Sequence, residues 1–393
     1  MNRALIGSMV SVLLCLFCHQ YLIAWQTELN DERDRSVAQE GNEKQTEEID
    51  FARARQLMQK RRAGEKLTAE EEAFLKRAQA EYQRRQQPIA AREKTGLKPL
   101  SEMTADDRYQ GEDGGLYGAG ENTPPEAHRK AAEIELAKIR PLDADGKPTA
   151  DGRVVLVSIS MSNATQEFST FKPLADADKD KSKHLAIVDC AQGGQAMAEW
   201  APPDSRPWQE AERRLKAAGV TPQQVQVAWI KLANKGPSGD LQEHGQKLKS
   251  DTLAVIQNAK TRFPNLRIAY LSSRIYGGYA GSRLNPEPYA YDSAFVVRWL
   301  IQDQVDGNEA LNYDSQRGDV KAPLLLWGPY LWADGVTPRK TDKLVWTRED
   351  LGGDGTHPSD SGRKKVAHLL HEFFKNDPLA KSWFLGEKSD LSK

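Results

Sequence analysis

The segment RVVLVSISMSN, residues 153–163, decides the fold of this chain of 393 residues. It begins with a short apolar, β-branched run that is bounded by turn-forming residues. Similar runs recur at 184–189 (HLAIVD), 224–230 (QVQVAWI), 266–271 (LRIAYL) and 324–327 (LLLW). Helical patterns lie between them, around 209–218, 241–262 and 291–304. Short apolar strands that alternate with helices predict an α/β fold, with a mostly parallel sheet covered on both faces.

The charge of the whole chain is close to balanced, with 55 Lys and Arg against 56 Asp and Glu. A protein that binds nucleic acid by neutralising phosphates carries a basic excess, so we expect no nucleic-acid partner. Eight of the nine Trp residues lie between Trp200 and Trp383, which concentrates the apolar mass in the C-terminal part of the chain. We therefore assign residues 151–385 to the main folded domain.

The first 24 residues have the pattern of an export signal, because Arg3 precedes an apolar run from Ala4 to Phe17. A run of about 14 residues is shorter than the roughly 20 that span a bilayer, and it fits the apolar region of a secretory signal. An uncleaved membrane anchor or a buried N-terminal helix is the alternative. We predict an exported protein, in the periplasm, in the cell envelope or secreted; in the anchor alternative, the N-terminus is the only contact with the membrane.

Cysteine usage narrows the possible chemistry. Outside the leader only Cys190 remains of the three cysteines, which excludes an intrachain disulfide framework and a cysteine-based zinc site. The sequence also has no phosphate-binding glycine loop and no cluster with the spacing of metal ligands. We therefore expect no cofactor and no metal.

Residues 25–100 are predicted to form a charged arm. Residues 31–100 carry 30 charges and no Trp, a composition that buries too little apolar surface for an independent core. Two helices are predicted there, the second opened by a capping box at Thr68 and Glu71. The arm could be a spacer, an oligomerisation arm or a docking element. Residues 101–150 are rich in Gly, Pro and Asp and are predicted to be a loop-rich collar on the main domain.

Polar residues follow the first three predicted strands. Ser162 follows the first strand, and a helix is predicted after it through Phe168. Gly193 and Gly194 follow the second strand, and Asn234 follows the third. Ligands of open α/β sheets bind beyond the carboxyl ends of the strands, so these residues are candidates for one site. A serine at a strand-to-helix turn is placed as a nucleophile, and Asn can donate a side-chain N–H into the same crevice. Each residue is also a common cap or turn former.

The loop Gly353–Pro358 (GDGTHP) stands directly before an amphipathic helix. A spacing of three residues lets the Asp354 carboxylate fold back onto Nδ1–H of His357, which leaves Nε2 free to act as a base. A helix-capping loop is the alternative explanation. The order of Ser162 early in the chain and Asp354 and His357 late favours the catalytic interpretation.

This order resembles that of the SGNH (GDSL-like) hydrolases, over roughly residues 154–374. The resemblance implies a three-layer α/β/α, flavodoxin-like fold and hydrolysis of carboxylic esters through an acyl-enzyme. It implies that Ser162 is the nucleophile, His357 the general base and acid, and Asp354 its orienting partner. The implied oxyanion hole comprises the N–H of Ser162, the N–H of Gly193 or Gly194, and the side chain of Asn234.

Two blocks depart from the family pattern. The Gly-Asp-Ser block reads Ser160-Met161-Ser162, and the Gly-x-Asn-Asp block reads Leu232-Ala233-Asn234-Lys235. The alternative to an esterase is therefore a non-catalytic protein that keeps the fold and binds glycans or takes part in cell-envelope interactions. Ser160 as the reactive serine is a further possibility.

The predicted pocket wall follows the fourth and fifth strands. Its candidate substrate-binding residues are Arg274, Tyr276, Glu287, Trp327 and Tyr330. Arginine and aromatic side chains beside Asn and Glu suit a polar, ring-shaped substrate, so we predict a small-molecule or polysaccharide ester, with deacetylation of acylated carbohydrate as the specific reaction. Aromatic packing of long loops is the alternative.

Overall fold

A computed structural model describes residues 50–86 and 89–386 of the protein. The predicted leader, residues 1–24, lies outside that part. The chain divides into two compact units between residues 84 and 85. Among the helices of the described ranges, none combines the length and the apolarity that crossing a bilayer requires.

The first unit contains a helical hairpin made of α1 (Phe51–Arg62) and α2 (Ala69–Gln86). The capping box is present: Glu71 N–H donates to Thr68 Oγ1 at 3.2 Å, and Thr68 N–H donates to Glu71 Oε2 at 2.9 Å. The composition predicts no independent core, yet the hairpin has a small apolar cluster of its own. Its buried members are Ala54, Leu57, Phe74, Leu75 and Ala78.

The second unit is built on five parallel strands. They are β1 (Val154–Ile159), β2 (Leu185–Asp189), β3 (Val225–Lys231), β4 (Ile268–Ser272) and β5 (Leu324–Trp327). Their order across the sheet is β2-β1-β3-β4-β5, so the chain reverses its direction of winding after β2. The carboxyl ends of β1 and β3 therefore lie side by side at the switch point, where ligands of such sheets bind.

Helices cover the sheet in two groups, as the predicted three-layer α/β/α fold requires. The helices of this unit are α3 (Glu126–Leu136), α4 (Ser162–Asp176), α5 (Met197–Trp200), α6 (Arg206–Ala217), α7 (Leu241–Arg262), α8 (Tyr289–Val305), α9 (Asp360–Asn376) and α10 (Lys381–Phe384). Helix α4 packs against α9, and α7 packs against α8. The predicted fold class is confirmed.

Helix α4 is longer than the sequence pattern indicates. The prediction ends it at Phe168, whereas the helix continues to Asp176. Phe171 and Ala175 extend the apolar stripe that Phe168 begins, and all three side chains are fully buried. Burial of that face against the sheet and α9 therefore carries the helix two turns further.

The collar belongs to the core of the second unit. Leu100, Met103 and Leu136 are buried in the same apolar cluster as the strands of the sheet. The second unit begins at residue 85, so the predicted boundary between 150 and 151 separates parts of one compact unit. Residues 85–150 thus complete the fold of the domain.

Candidate active site

Ser162 is the first residue of α4 and lies just beyond the end of β1. The preceding residue, Met161, has extended backbone geometry and supplies no side-chain cap to the helix. The first N–H groups of an α-helix have no partner within the helix, and the helix dipole places partial positive charge there. The side chain of Ser162 therefore lies beside backbone donors that can bind a developing oxyanion.

A chain of two hydrogen bonds joins Ser162, His357 and Asp354. Ser162 Oγ lies 2.7 Å from His357 Nε2, and His357 Nδ1 lies 2.5 Å from Asp354 Oδ2. Because the carboxylate can only accept, Nδ1 carries the imidazole proton and Nε2 accepts from the serine hydroxyl. The His357 side chain is about one-third exposed and the Asp354 side chain about one-half exposed, so the site opens to solvent. The three residues predicted as a triad are brought together in the order that general-base catalysis requires.

The Asp354 carboxylate is oriented by its own loop. Its Oδ1 accepts from the backbone N–H groups of Thr356 and His357, each at 3.0 Å. Partial burial raises the pKa of Asp354, but the hydrogen bonds from the His357 side chain and from these two N–H groups outweigh it and hold the pKa below its ordinary value. Asp354 therefore stays ionised and keeps His357 in one tautomer.

Close backbone packing holds the loop in place. Gly355 has φ +66°, and a Cβ there would lie 1.7 Å from the carbonyl oxygen of Tyr279, so only glycine fits. The Asp354 carbonyl accepts from Gly281 N–H at 3.0 Å. Asn163, which follows Ser162, donates through Nδ2 to the Thr356 carbonyl at 2.9 Å and ties the base loop to the serine helix. The sequence analysis assigned no role to Asn163.

Ser160 has a different environment from Ser162. It is fully buried, and its hydroxyl donates to the backbone carbonyl of Lys231 and contacts Met161 Sδ at 2.6 Å. The hydroxyl therefore ties β1 to β3 beneath the site. Of the two serines, Ser162 alone has a base on its oxygen.

The candidate oxyanion donors lie in the turns that follow β2 and β3. Gly193 and Gly194 are exposed, Gly194 has φ +71°, and a Cβ at either position would meet open space. The Asn234 amide is fixed on both sides, since Oδ1 accepts from Ala198 N–H at 2.9 Å and Nδ2 donates to Asp251 at 2.6 Å. One N–H of Asn234 is thus committed to Asp251, and the role of the other as an oxyanion donor stays a prediction.

Three of the predicted wall residues are packed beneath residues 92–116. Tyr276 O–H donates to the Arg92 carbonyl at 2.8 Å. Trp327 Nε1–H donates to the Leu116 carbonyl at 2.7 Å, and Tyr330 Oη accepts from Leu100 N–H at 3.0 Å. All three side chains are more than nine-tenths buried. A substrate would have to displace these bonds to reach the polar tips, so their role in binding stays a prediction.

Glu287 is also held internally. Oε1 accepts from Gly277 N–H at 2.7 Å and from Trp332 Nε1–H at 2.8 Å, and Oε2 accepts from Tyr291 N–H at 3.0 Å. Burial raises the pKa of Glu287 to about 7, although these three donors lower it. The carboxylate ties the connection after β4 to the start of α8.

A buried ion pair lies below the crevice. Lys231, the last residue of β3, places Nζ 2.6 Å from both carboxylate oxygens of Glu167 on α4, and neither side chain is exposed. Burial lowers the pKa of Lys231 to about 8 and raises that of Glu167. The sequence signal for this pair is a lysine at the end of a strand whose other residues, apart from Gln226, are apolar.

Comparison with known proteins gives matches among solved structures alone. No family model and no curated protein matches the chain. A proposed acylhydrolase from Bacteroides fragilis NCTC 9343 is 13 % identical, covers 64 % of this chain and 97 % of its own, and has a TM-score of 0.31. The periplasmic domain of a lipopolysaccharide acetyltransferase from Salmonella ser. Paratyphi A is 14 % identical, with 63 % and 96 % covered and a TM-score of 0.30.

A gut microbial diltiazem-metabolizing enzyme is 14 % identical, with 58 % of this chain and 48 % of that chain covered and a TM-score of 0.31. Likenesses of this degree carry no argument about activity. The function of the chain is therefore argued from the geometry of its own residues.

Proposed function

We propose that the protein is an exported serine hydrolase that cleaves carboxylic esters through an acyl-enzyme. The observation that carries the proposal is the hydrogen-bonded chain from Ser162 through His357 to Asp354. A serine hydroxyl is a weak nucleophile at neutral pH and needs an adjacent base, which in turn needs an orienting group. All three parts meet at the carboxyl edge of the sheet.

The reaction follows from the positions of the protons. His357 Nε2 takes the hydroxyl proton as Ser162 Oγ attacks the acyl carbon, and it then gives that proton to the departing alcohol oxygen. Water enters next and loses a proton to the same nitrogen as it attacks the acyl carbon, and His357 returns that proton to Ser162 Oγ as the acid departs. Asp354 remains ionised throughout and stabilises the imidazolium that forms twice in the cycle.

Backbone donors at the start of α4 support the charge that develops on the carbonyl oxygen. Ser162 N–H is the first of them, and we assign further donors to the exposed turn at Gly193 and Gly194 and to Asn234. Each preorganised donor of this kind is worth about 10²–10³ in rate. The open turn at the two glycines lets a backbone N–H approach the substrate without obstruction from a side chain.

We propose acylated carbohydrate as the substrate class, with deacetylation as the reaction. The site is partly exposed at His357 and Asp354, which suits an ester group carried on a larger molecule. Export, as the leader sequence predicts, would place the enzyme where envelope or extracellular polysaccharides are found.

Hydrolysis of p-nitrophenyl acetate tests the proposal. The wild-type protein should release nitrophenolate with a burst as acyl-enzyme accumulates, and Ser162→Ala should abolish both phases. Release of acetate from acetylated oligosaccharides tests the substrate class separately, with a sugar alcohol added to detect transfer in place of hydrolysis. A folded wild-type protein that hydrolyses no ester would contradict the proposal and favour the non-catalytic glycan-binding alternative.

A further inference from the structure

Arg274 is a buried charged side chain whose Nε has no hydrogen-bond partner within the described residues. It follows β4 by two residues and is 2 % exposed. Its backbone N–H donates to Ser293 Oγ at 2.9 Å, but Nε of its guanidinium is buried and has no partner in the described part of the chain. Burying a charged donor with no acceptor is costly, so such a group in a folded protein calls for an explanation.

The three carboxylates whose charges act on Arg274 accept hydrogen bonds from other groups. Burial lowers the pKa of Arg274 to about 10, while the charges of Glu167, Glu287 and Asp354 act in the opposite direction. Glu167 binds Lys231 through both oxygens, and Glu287 accepts three N–H groups. Asp354 accepts from His357 and from two backbone N–H groups. Arg274 therefore stays charged at neutral pH, and no carboxylate in residues 50–86 and 89–386 forms a hydrogen bond with it.

The segment that carries Arg274 adjoins the candidate active site. Residues 279–281, shortly after Arg274, pack on the base loop through Gly355 and through the bond from Gly281 N–H to the Asp354 carbonyl. On the other side, Ser272 at the end of β4 accepts from Leu232 N–H at 3.0 Å, next to the Asn234 turn. The segment that carries Arg274 thus lies between the base loop and the turn after β3.

Two further buried polar atoms of this neighbourhood also lack partners. Thr356 Oγ1 lies in the base loop, between Asp354 and His357. Asn285 Oδ1 is the other, and the Nδ2 of the same amide donates to the Asn234 carbonyl at 3.1 Å. Arg274 Nε and Thr356 Oγ1 can donate to an acceptor group of a ligand, whereas Asn285 Oδ1 needs a donor, so a polar ligand that carries both kinds of group would supply the missing partners.

We propose that Arg274 recognises a carboxylate carried by the ester substrate, so that the enzyme acts on acidic esters. This inference rests on the proposed esterase function. A guanidinium presents parallel N–H donors that match the two oxygens of a carboxylate, which a neutral hydroxyl or amide cannot do. Binding of that group would satisfy Arg274 and hold the ester next to Ser162.

Two matched pairs of esters test the proposal, with a carboxylate in one member and a carboxamide of the same shape in the other. The first pair, 3-acetoxybenzoate and 3-acetoxybenzamide, carries the group on the alcohol side. The second pair, phenyl hydrogen adipate and its terminal carboxamide, carries it on the acyl side. We expect the wild-type protein to prefer the carboxylate of one pair by about tenfold or more in kcat/KM.

Arg274→Met should remove that preference, so that kcat/KM for the carboxylate ester falls to that of its matched carboxamide. Arg274→Lys should keep part of the preference, because it retains the charge and loses the planar fork. The matched control is Arg283→Met, on the same connection between β4 and α8, which should leave the preference unchanged. If Arg274→Met does not fold, the Lys variant decides.

A wild-type protein that hydrolyses p-nitrophenyl acetate without preferring either carboxylate would overturn the assignment of Arg274 and leave the esterase proposal intact. An equal loss of rate on charged and neutral esters in both Arg274 variants would also overturn it and indicate a structural role. If no ester is hydrolysed, the esterase proposal fails. Calorimetric binding of benzoate against benzamide, in wild type and Arg274→Lys, then tests the carboxylate site by itself.

Discussion

Two regions at the carboxyl edge of the sheet differ in how their polar side chains are used. At the end of β1 and in the loop before α9, Ser162, His357 and Asp354 bond to one another and remain partly exposed. At the ends of β4 and β5, Tyr276 and Trp327 are buried and donate to the backbone carbonyls of Arg92 and Leu116. In the first region the polar side chains bond to one another and are partly open to solvent, and in the second most of them are buried and bond to backbone groups.

The difference gives residues 85–150 a structural role. Their backbone supplies the partners of Tyr276, Trp327 and Tyr330, which the sequence alone assigns to the substrate. Within the second region Arg274 is the exception, since its buried Nε has no partner there. Substitutions in the two regions distinguish side chains that act in the reaction from side chains that stabilise the domain.

The largest effect is expected at Ser162. Ser162→Ala removes the nucleophile and should lower kcat/KM for p-nitrophenyl acetate by about 10⁵-fold or more, with little change in stability. Ser160→Ala is the matched control: it removes the buried hydroxyl beside Lys231 and should cost stability while turnover persists. Steady-state kinetics and urea unfolding of both variants measure the contrast. An inactive but stable Ser160 variant would reverse the assignment.

A smaller loss is expected at Asp354, because an orienting group is partly replaceable. Asp354→Ala should lower kcat by about 10³–10⁴, less than Ser162→Ala does. The double variant should be no worse than Ser162→Ala alone, since the three residues act as a unit. Additive losses would show that Asp354 acts outside the chain of hydrogen bonds.

Asn234→Ala should lower kcat by about 10²–10³ with little unfolding if its side chain donates to the oxyanion. The control is Asp251→Asn, which weakens the partner of Asn234 Nδ2 and keeps the amide itself. We expect the control to retain turnover within about tenfold. Full turnover in Asn234→Ala would show that Asn234 is not a donor.

In the wall region Tyr330→Phe distinguishes packing from substrate binding. The buried Leu100 N–H loses its acceptor, so the free energy of unfolding should fall by roughly 1–3 kcal/mol. Meanwhile kcat/KM for p-nitrophenyl acetate should stay within about twofold. Tyr313→Phe, at a partly buried position before β5, should change stability by less than about 0.5 kcal/mol. A raised KM with unchanged stability would return Tyr330 to the substrate site.

The smallest effect concerns stability in acid. Because hydrogen bonds hold the pKa of Asp354 below its ordinary value, ionised Asp354 binds protons less readily in the folded state than in the unfolded state. The contribution of Asp354 to stability is therefore present above its pKa in the unfolded state, and it is lost as the pH falls through its pKa in the folded state. The difference in Tm between wild type and Asp354→Ala should shrink below about pH 4. A difference that grows toward acid pH would contradict this sign.

The sequence predicts the fold and the first region well because their determinants are local. Five apolar runs mark the strands, and the bond between Asp354 and His357 spans three positions of the chain. The second region depends on contacts between distant segments: Tyr276 meets the Arg92 carbonyl across 184 positions. No spacing in the sequence reveals such a partner. For the same reason the sequence places Arg274 in the predicted pocket wall but does not reveal that its buried Nε lacks a partner among the described residues.

The central claim is that His357 activates Ser162, and covalent labelling with a fluorophosphonate tests it most directly. Peptide mapping of the labelled protein should find one adduct, on Ser162 Oγ. The adduct should be absent from Ser162→Ala and strongly reduced in His357→Ala, while Ser160→Ala still forms it. A folded wild-type protein that takes up no label, or an adduct on Ser160, would contradict the account.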